Sequence, residues 1–329
     1  MTAPRASQKA PAAPASLRVW LALGTVYVVW GSTYLAIRVM VETVPPALGA
    51  GARFSLAGAI LLTAVAARRG RAAIRLEGLG QAALAGLIGT LLAAGGNGLV
   101  TVAEQDVPSG LAALLVASVP LFIVLYRTLF GDRVARPTLA GVAIGFAGVG
   151  ILLLPGARPH GVPLGPSLLI VLAAMSWGAG SFAAQRVRLP ADPLVSSGWQ
   201  MLFGGTVMIL AGVIAGEPGR VDIGGFSTDS ILAFAYLVLI GSIVAFSAYA
   251  WLVQHAPISQ VATYAYVNPL IAVVLGWAIL GESIGAPTIG GAALIVASVA
   301  AIVRQESEAR RRRVPVLARA APARIASRT

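Results

Sequence analysis

Ten apolar stretches, each about as long as a membrane-crossing helix, follow one another between residues 18 and 303 of this chain. A helix crosses the hydrocarbon core of a bilayer with about 20 apolar residues, since each residue adds about 1.5 Å to its length. Charged clusters, or Pro and Gly, separate each stretch from the next. The predicted spans are 18–40, 47–67, 79–101, 109–130, 137–155, 165–187, 193–215, 230–252, 258–280 and 286–303. The chain is therefore predicted to be an all-α polytopic membrane protein.

The composition excludes a soluble protein and disfavours an enzyme. Hydrophobic residues make up 57% of the chain and charged residues only 11%, whereas a soluble domain carries about 25% charged residues. The chain has no cysteine, which excludes disulfides, thiol nucleophiles and cysteine metal sites. The two histidines, His160 and His255, fall in predicted loops, so no histidine-based metal or catalytic site is expected. We predict a protein with no catalytic residues, cofactor or metal.

The basic residues orient the predicted spans. Residues 1–17 are rich in Ala and Pro and predict a disordered N-terminal arm, and residues 304–329 form a basic tail. With both termini in the cytoplasm, these flanks and the loops on their side hold twenty of the 24 Lys and Arg residues. Cytoplasmic loops carry such an excess. The net charge of +12 alone would suggest nucleic-acid binding, but the basic residues lie in the tail and between the apolar stretches. This distribution predicts contact between the tail and anionic lipid head groups, and no nucleic-acid binding.

An internal repeat divides the ten spans into two copies of five. Trp30-Gly31 recurs as Trp177-Gly178, at an offset of 147 residues. Further matches keep nearly the same offset: Pro46 with Pro193, Gly51 with Gly198, Gly58 with Gly205, Pro108 with Pro257, Pro120 with Pro269, and Gly131-Asp132 with Gly281-Glu282. Chance matches in a Gly-rich chain would not hold one offset across five spans. The repeats are predicted to be residues 18–155 and 165–303.

Five is an odd number of spans, so the second copy must enter the membrane inverted relative to the first. Inverted repeats are typical of secondary transporters, which bind substrate near the bilayer midplane between the two copies. Neither an enzyme nor a receptor has a mechanical need for this symmetry. We therefore predict a secondary transporter that works by alternating access, with a small molecule as its substrate.

Several segments also carry a family resemblance. They are Trp30-Gly31-Ser32-Thr33-Tyr34, Arg53-Phe54, the span that contains Pro120, Tyr264-Ala265-Tyr266-Val267-Asn268-Pro269, and Gly281-Glu282. Together with the duplicated five-helix unit, they resemble the EamA branch of the drug/metabolite transporter superfamily over residues 18–303. The resemblance implies a central cavity lined mainly by spans 1, 3, 4, 6, 8 and 9. It also implies export of amino acids and related metabolites across a bacterial inner membrane.

Polar side chains within the spans are the candidates for substrate binding, because they cannot face lipid without a large free-energy cost. The predicted substrate-binding residues are Trp30, Ser32, Tyr34, Asn97, Thr101, Trp177, Ser181, Tyr249, Tyr264, Tyr266 and Asn268, with helix kinks at Pro120 and Pro269. Aromatic rings and neutral polar groups outnumber charges in this set. That composition favours a neutral or zwitterionic substrate with an apolar part, such as an amino acid with an aromatic or other apolar side chain.

The sequence leaves several alternatives open. Gly95-Gly96-Asn97-Gly98 is either a weak point in a helix or a close contact between helices. Arg53 is expected near an outer end of its span, and Glu104 is expected to be solvated or paired with an arginine. Gly141 and Gly145 could form a dimer seam, but packing within one chain, and so a monomer, is favoured. A multidrug or other metabolite efflux permease is the alternative function, followed by a non-transporting membrane scaffold.

Overall fold

A computed structural model describes residues 17–156, 158–159 and 161–319, and over these ranges the regular structure is entirely helical. Ten helices correspond to the ten predicted spans. They are α1 Leu17–Met40, α2 Pro46–Arg69, α3 Leu79–Ala103, α4 Ser109–Leu129, α5 Arg136–Leu153, α6 Leu164–Ala184, α7 Pro193–Ile214, α8 Thr228–His255, α9 Tyr264–Leu280 and α10 Ala286–Gln305. Nine are long and apolar enough to cross a membrane, and α9 is a shorter apolar helix. The prediction of an all-α polytopic membrane protein is confirmed.

Two helix boundaries differ from the prediction. The predicted span 258–280 is divided into a short helix, Ile258–Val261, and α9, because the chain turns at residues 262–263. The helix that contains α10 continues to Arg319 and so includes the first part of the predicted tail. The predicted N-terminal arm, apart from Leu17, lies outside the described residues, as do the end of the tail and His160.

Helices α2 and α7 pack closely through glycines. A Cβ atom on Gly51 would lie 2.9 Å from the Gly205 carbonyl oxygen, and a Cβ atom on Gly58 would lie 2.6 Å from the Gly198 carbonyl oxygen. Only glycine permits such an approach between backbones. The contacts run in opposite order along the two helices, so α2 and α7 cross antiparallel.

Two π-helical segments interrupt the regular α-helices. One covers Thr90–Gly98 in α3, and the other covers Leu237–Val244 in α8. Both begin at positions related by the 147-residue offset of the repeat. A π-helical segment releases backbone carbonyls from the ordinary i→i+4 pattern, and such segments are frequent at functional sites. Here side chains bind the released carbonyls: the Ser176 hydroxyl donates to Leu91 O at 2.8 Å, and the Ser242 hydroxyl donates to Leu237 O at 2.9 Å.

Carboxylates from distant parts of the chain cap two helix N-termini. Glu217, which follows α7, accepts hydrogen bonds from the backbone N–H groups of Ala47 and Leu48 at the start of α2, at 3.1 and 2.8 Å. Glu282, which follows α9, accepts from the N–H groups of Ser109 and Gly110 at the start of α4, at 2.6 and 2.9 Å. Because the first N–H groups of a helix have no partner within it, these carboxylates join helix ends that are far apart in sequence.

Candidate substrate cavity

Seven helices surround a cavity of about 180 Å³ in the middle of the bundle. A space of this size admits several water molecules, and so suits a small metabolite. Its walls come from α1, α2, α3, α4, α6, α8 and α9. The family resemblance implies six of these helices, and α2 is the addition. Nine of the thirteen predicted positions lie on the cavity wall: Trp30, Tyr34, Asn97, Pro120, Trp177, Ser181, Tyr264, Asn268 and Pro269.

Aromatic side chains form one wall of the cavity. The ring centroid of Trp30 lies 5.7 Å from that of Phe246, 5.2 Å from that of Tyr249 and 5.2 Å from that of Tyr264. Rings at these separations attract one another beyond the effect of their buried area. The Trp30 indole N–H also donates to the Gly241 carbonyl at 3.3 Å, within the π-helical segment of α8. This wall therefore presents an apolar surface whose rings are held in place.

The Gly95–Gly98 stretch of α3 is both a helix irregularity and a close contact. It lies within the π-helical segment of α3. A Cβ atom on Gly95 would lie 2.0 Å from the Ser176 hydroxyl oxygen, and a Cβ atom on Gly96 would lie 2.6 Å from the Trp177 ring. The sequence left open a weak point in the helix or a close contact between helices, and the structure shows both. The glycines let α6 approach α3 beside Asn97.

Prolines shape the cavity where α4 and α9 cross it. The α-helix in α4 stops at Val116 and restarts at Val119, just before Pro120, and the Ser118 hydroxyl donates to Leu115 O at 2.6 Å. Pro269 instead lies within continuous helix. Asn268, beside Pro269, is 7% exposed, and its amide oxygen is buried without a hydrogen-bond partner. An unpartnered acceptor on a cavity wall can receive a hydrogen bond from a ligand.

Four predicted residues lie off the cavity wall. The Ser32 hydroxyl donates to Val29 O and shares a 2.6 Å hydrogen bond with the Tyr236 hydroxyl. The Thr101 side chain is fully buried and donates to Asn97 O at 2.9 Å. Tyr249 packs behind Trp30 and Tyr264, and Tyr266 packs against the apolar core formed mainly by α4, α5, α6 and α10. A role for these four in substrate binding would have to be indirect.

Sequence reasoning did not reveal the surroundings of two charged residues. Arg53, expected near an outer end, is 4% exposed and lies on the cavity wall, where its Nε donates to the Ser242 hydroxyl at 3.1 Å. Glu104, expected to be solvated or paired, is fully buried, and neither carboxylate oxygen has a hydrogen-bond partner. Only the Glu104 backbone carbonyl is bound by an arginine, the guanidinium of Arg38. The sequence could not show this, because the position of a residue along a span does not tell which helices fold over it.

Carboxylates in loops form two further clusters. Asp132, in the loop after α4, accepts from Arg186 at 2.8 Å and from Arg127 at 3.2 Å, and these hydrogen bonds hold the pKa of Asp132 below its usual value. Burial alone would raise the pKa of Asp192, which precedes α7. Hydrogen bonds from the backbone N–H groups of Val195 and Leu194 and from Arg69 outweigh burial and lower it.

Comparison with known proteins shows that this chain is similar to membrane transporters. Residues 18–154 and 165–304 match the profile of the EamA-like transporter family. The chain is 44% identical to the "uncharacterized inner membrane transporter YedA" of Escherichia coli K12, over 80% of this chain and 83% of that protein. It is 25% identical to the "probable amino-acid metabolite efflux pump" of Salmonella typhimurium, over 83% of this chain and 91% of that protein. A crystal structure of another protein shares the fold, with a TM-score of 0.59 at 22% identity over 86% of this chain and 96% of the other.

Proposed function

Because the chain belongs to the EamA-like transporter family, and so is a multi-pass membrane transporter and not an enzyme, we propose that it exports small metabolites across a bacterial inner membrane. The substrates proposed are neutral or zwitterionic, above all amino acids with aromatic or other apolar side chains. The name of the Salmonella typhimurium relative, a probable amino-acid metabolite efflux pump, agrees with this substrate class.

One observation carries this proposal: the cavity has an apolar aromatic wall and separate polar groups. Trp30 and Tyr264 offer ring surface, while Asn97, Asn268 and Ser181 offer hydrogen-bonding groups around the same space. An amino acid with an apolar side chain has the matching division into an apolar and a polar part. Sites for small molecules commonly combine an apolar lining with a few placed polar groups.

We further propose that residues 18–155 and 165–303 are inverted repeats that move against each other in alternating access. The antiparallel crossing of α2 and α7 and the predicted positive-inside charge distribution support inversion, and the matching π-helical segments of α3 and α8 support the repeat itself. Both termini would then be cytoplasmic, the basic tail would contact anionic lipid head groups, and one chain would be sufficient for transport.

The helix-end contacts support a conformer that is closed at the predicted periplasmic end. At that end Glu282 fastens the region after α9 to the start of α4, and Arg38 on α1 binds the carbonyls of Glu104 and Gln105 after α3. At the predicted cytoplasmic end Asp132 occupies the repeat position of Glu282. It binds Arg127 and Arg186 instead of the start of the helix at Ile258.

Counterflow in proteoliposomes tests the proposed function. Vesicles that contain the purified full chain are loaded with one unlabelled amino acid at a time and diluted into a trace of labelled L-phenylalanine. We expect uptake to be accelerated by internal aromatic and branched-chain amino acids, and to fall in Trp30→Ala. Leu87→Ala serves as the control, because Leu87 is 53% exposed on the outside of α3. Counterflow absent for every amino acid, but present for a cationic dye, would favour a multidrug permease.

A further inference from the structure

Arg53 has an incomplete set of partners although it is buried in the membrane region. Its Nη1 atom is buried and has no hydrogen-bond partner. Its Nε atom is fixed by Ser242, whose hydroxyl is in turn fixed by Leu237 O. The guanidinium also lies over the Phe54 ring, with 4.6 Å between Cζ and the ring centroid. The guanidinium is therefore held in one orientation, and it can still donate further hydrogen bonds.

A buried guanidinium needs an anionic partner. It keeps its positive charge at any physiological pH, and an unpaired charge in a membrane interior is costly. Within the part of the chain that the structure describes, Arg53 forms no ion pair with a carboxylate. Glu104 lies within electrostatic range of Arg53, but neither of its oxygens accepts a hydrogen bond. Arg53 lines the cavity and its Nη1 lacks a partner, so an anion that enters the cavity could supply the missing one.

We propose that Arg53 binds the carboxylate of the transported solute, so that this transporter selects carboxylate-bearing metabolites. Guanidinium and carboxylate form strong charge-assisted hydrogen bonds, often two at once. Asn268 lines the same cavity, and its amide oxygen, which is buried without a partner, would accept a hydrogen bond from an ammonium group that reached it. An α-amino acid would then find partners for both charged ends, with its side chain near Trp30. This inference rests on the proposed function and names its substrate class.

Ligands with the same ring and different charges test the proposal. The thermal unfolding of the purified full chain in detergent is measured with increasing phenylacetate, L-phenylalanine or 2-phenylethylamine, and the concentration dependence gives an apparent affinity. We expect the two carboxylates to stabilise the wild type and Arg53→Gln to weaken their binding about ten- to a hundredfold. Binding of 2-phenylethylamine should not weaken. Arg68→Gln is the matched control, since Arg68 is an exposed arginine at the far end of α2.

Two more variants separate ligand binding from a structural role. If Arg53 served only as counter-ion to Glu104, the double variant Arg53→Gln/Glu104→Gln would restore wild-type carboxylate binding, and this outcome would overturn the proposal. We expect no restoration. Ser242→Ala removes the hydrogen bond that positions Nε. It should weaken the two carboxylates several-fold, less than Arg53→Gln does, and leave 2-phenylethylamine unchanged.

The outcomes distinguish this inference from the proposed function. If the wild type catalyses counterflow but carboxylate binding is unchanged in Arg53→Gln, the inference is wrong and the transport function stands. The same holds if the wild type prefers 2-phenylethylamine to both carboxylates. If carboxylates bind in an Arg53-dependent way but no solute shows counterflow, the carboxylate site stands and the transport function fails.

Discussion

At the scale of single residues, Asn97 is a polar side chain of the cavity wall with hydrogen-bonding groups free for a ligand. It is half-buried on the cavity wall, and among the described residues its amide has no hydrogen-bond partner. Loss of one ligand hydrogen bond costs about 0.5–1.5 kcal/mol, or up to about 3 kcal/mol when a charged group is left unpaired. We expect Asn97→Ala to lower the initial counterflow rate several-fold to about a hundredfold, with normal expression and unfolding temperature. A normal rate would remove Asn97 from the site, and Leu87→Ala controls for changes to α3.

Individual residues also show where sequence reasoning reaches its limit. Nine of the thirteen positions predicted within the spans line the cavity, because polar and aromatic groups avoid lipid, and their binding of substrate stays a prediction. Apolar character alone would place Leu61 toward lipid, and Arg53 was expected only to lie near an outer end of its span, yet their side chains are 5% and 4% exposed. Both lie on α2, which packs closely on α7 through glycines. The burial of α2 depends on packing against α7, which is about 150 residues away in the sequence. A local sequence pattern carries no information about such a contact.

At the scale of helices, the contact between Glu282 and the start of α4 is expected to hold the predicted periplasmic end closed. Glu282→Gln removes a negative charge from a helix N-terminus, an interaction of about 0.5–2 kcal/mol. We therefore expect a cysteine at Ile37, which is 2% exposed on the cavity wall, to react up to about tenfold faster with an impermeant thiol reagent in this variant. Glu77→Gln, in an exposed loop, is the control. An unchanged rate would show that Glu282 does not restrain opening.

The Asp132 cluster makes a prediction about pH. The hydrogen bonds from Arg186 and Arg127 lower the pKa of Asp132 below its ordinary value of 3.8. Their stabilising effect is therefore complete above that value and is lost only as the pH falls through the lowered pKa. Between pH 5 and 8 we expect a constant ratio of the counterflow rates of wild type and Asp132→Asn. A ratio that changes steadily across this range would mean that Asp132 titrates there.

At the scale of helices, the π-helical segments were the features that hydropathy could not predict. Hydropathy placed most ends of the ten spans within a few residues of the observed helix ends, but not the start of α9 at Tyr264 or the end of the last helix at Arg319. Hydropathy did not show the π-helical segments at Thr90–Gly98 and Leu237–Val244. The glycines of the first segment indicated a weak point in α3 as one alternative, but the apolar sequence of Leu237–Val244 gave no such indication. The irregularity requires hydroxyl and indole groups from other helices to bind the released carbonyls, as Ser176 and Trp30 do. It is therefore a tertiary feature.

At the scale of the whole molecule, inversion of the two repeats can be tested with a pair of single cysteines. Ala72 and Gly219 are both exposed in the loops that follow α2 and α7, and they are related by the repeat offset of 147 residues. The chain has no native cysteine, so the introduced cysteine is the single thiol of each variant. Inverted repeats place these two positions on opposite sides of the membrane.

We expect an impermeant thiol reagent added to intact cells to label Gly219→Cys and to leave Ala72→Cys unlabelled. After the membrane is permeabilised, both variants should react at similar rates, which controls for the local reactivity of each thiol. The excess of Arg in the loop that contains Ala72 is the physical reason why a cytoplasmic position is predicted for it, since the loop that contains Gly219 has only Arg220 as a basic residue. Labelling of both variants in intact cells would mean that the repeats enter the membrane in the same direction, and the symmetry on which alternating access rests would be lost.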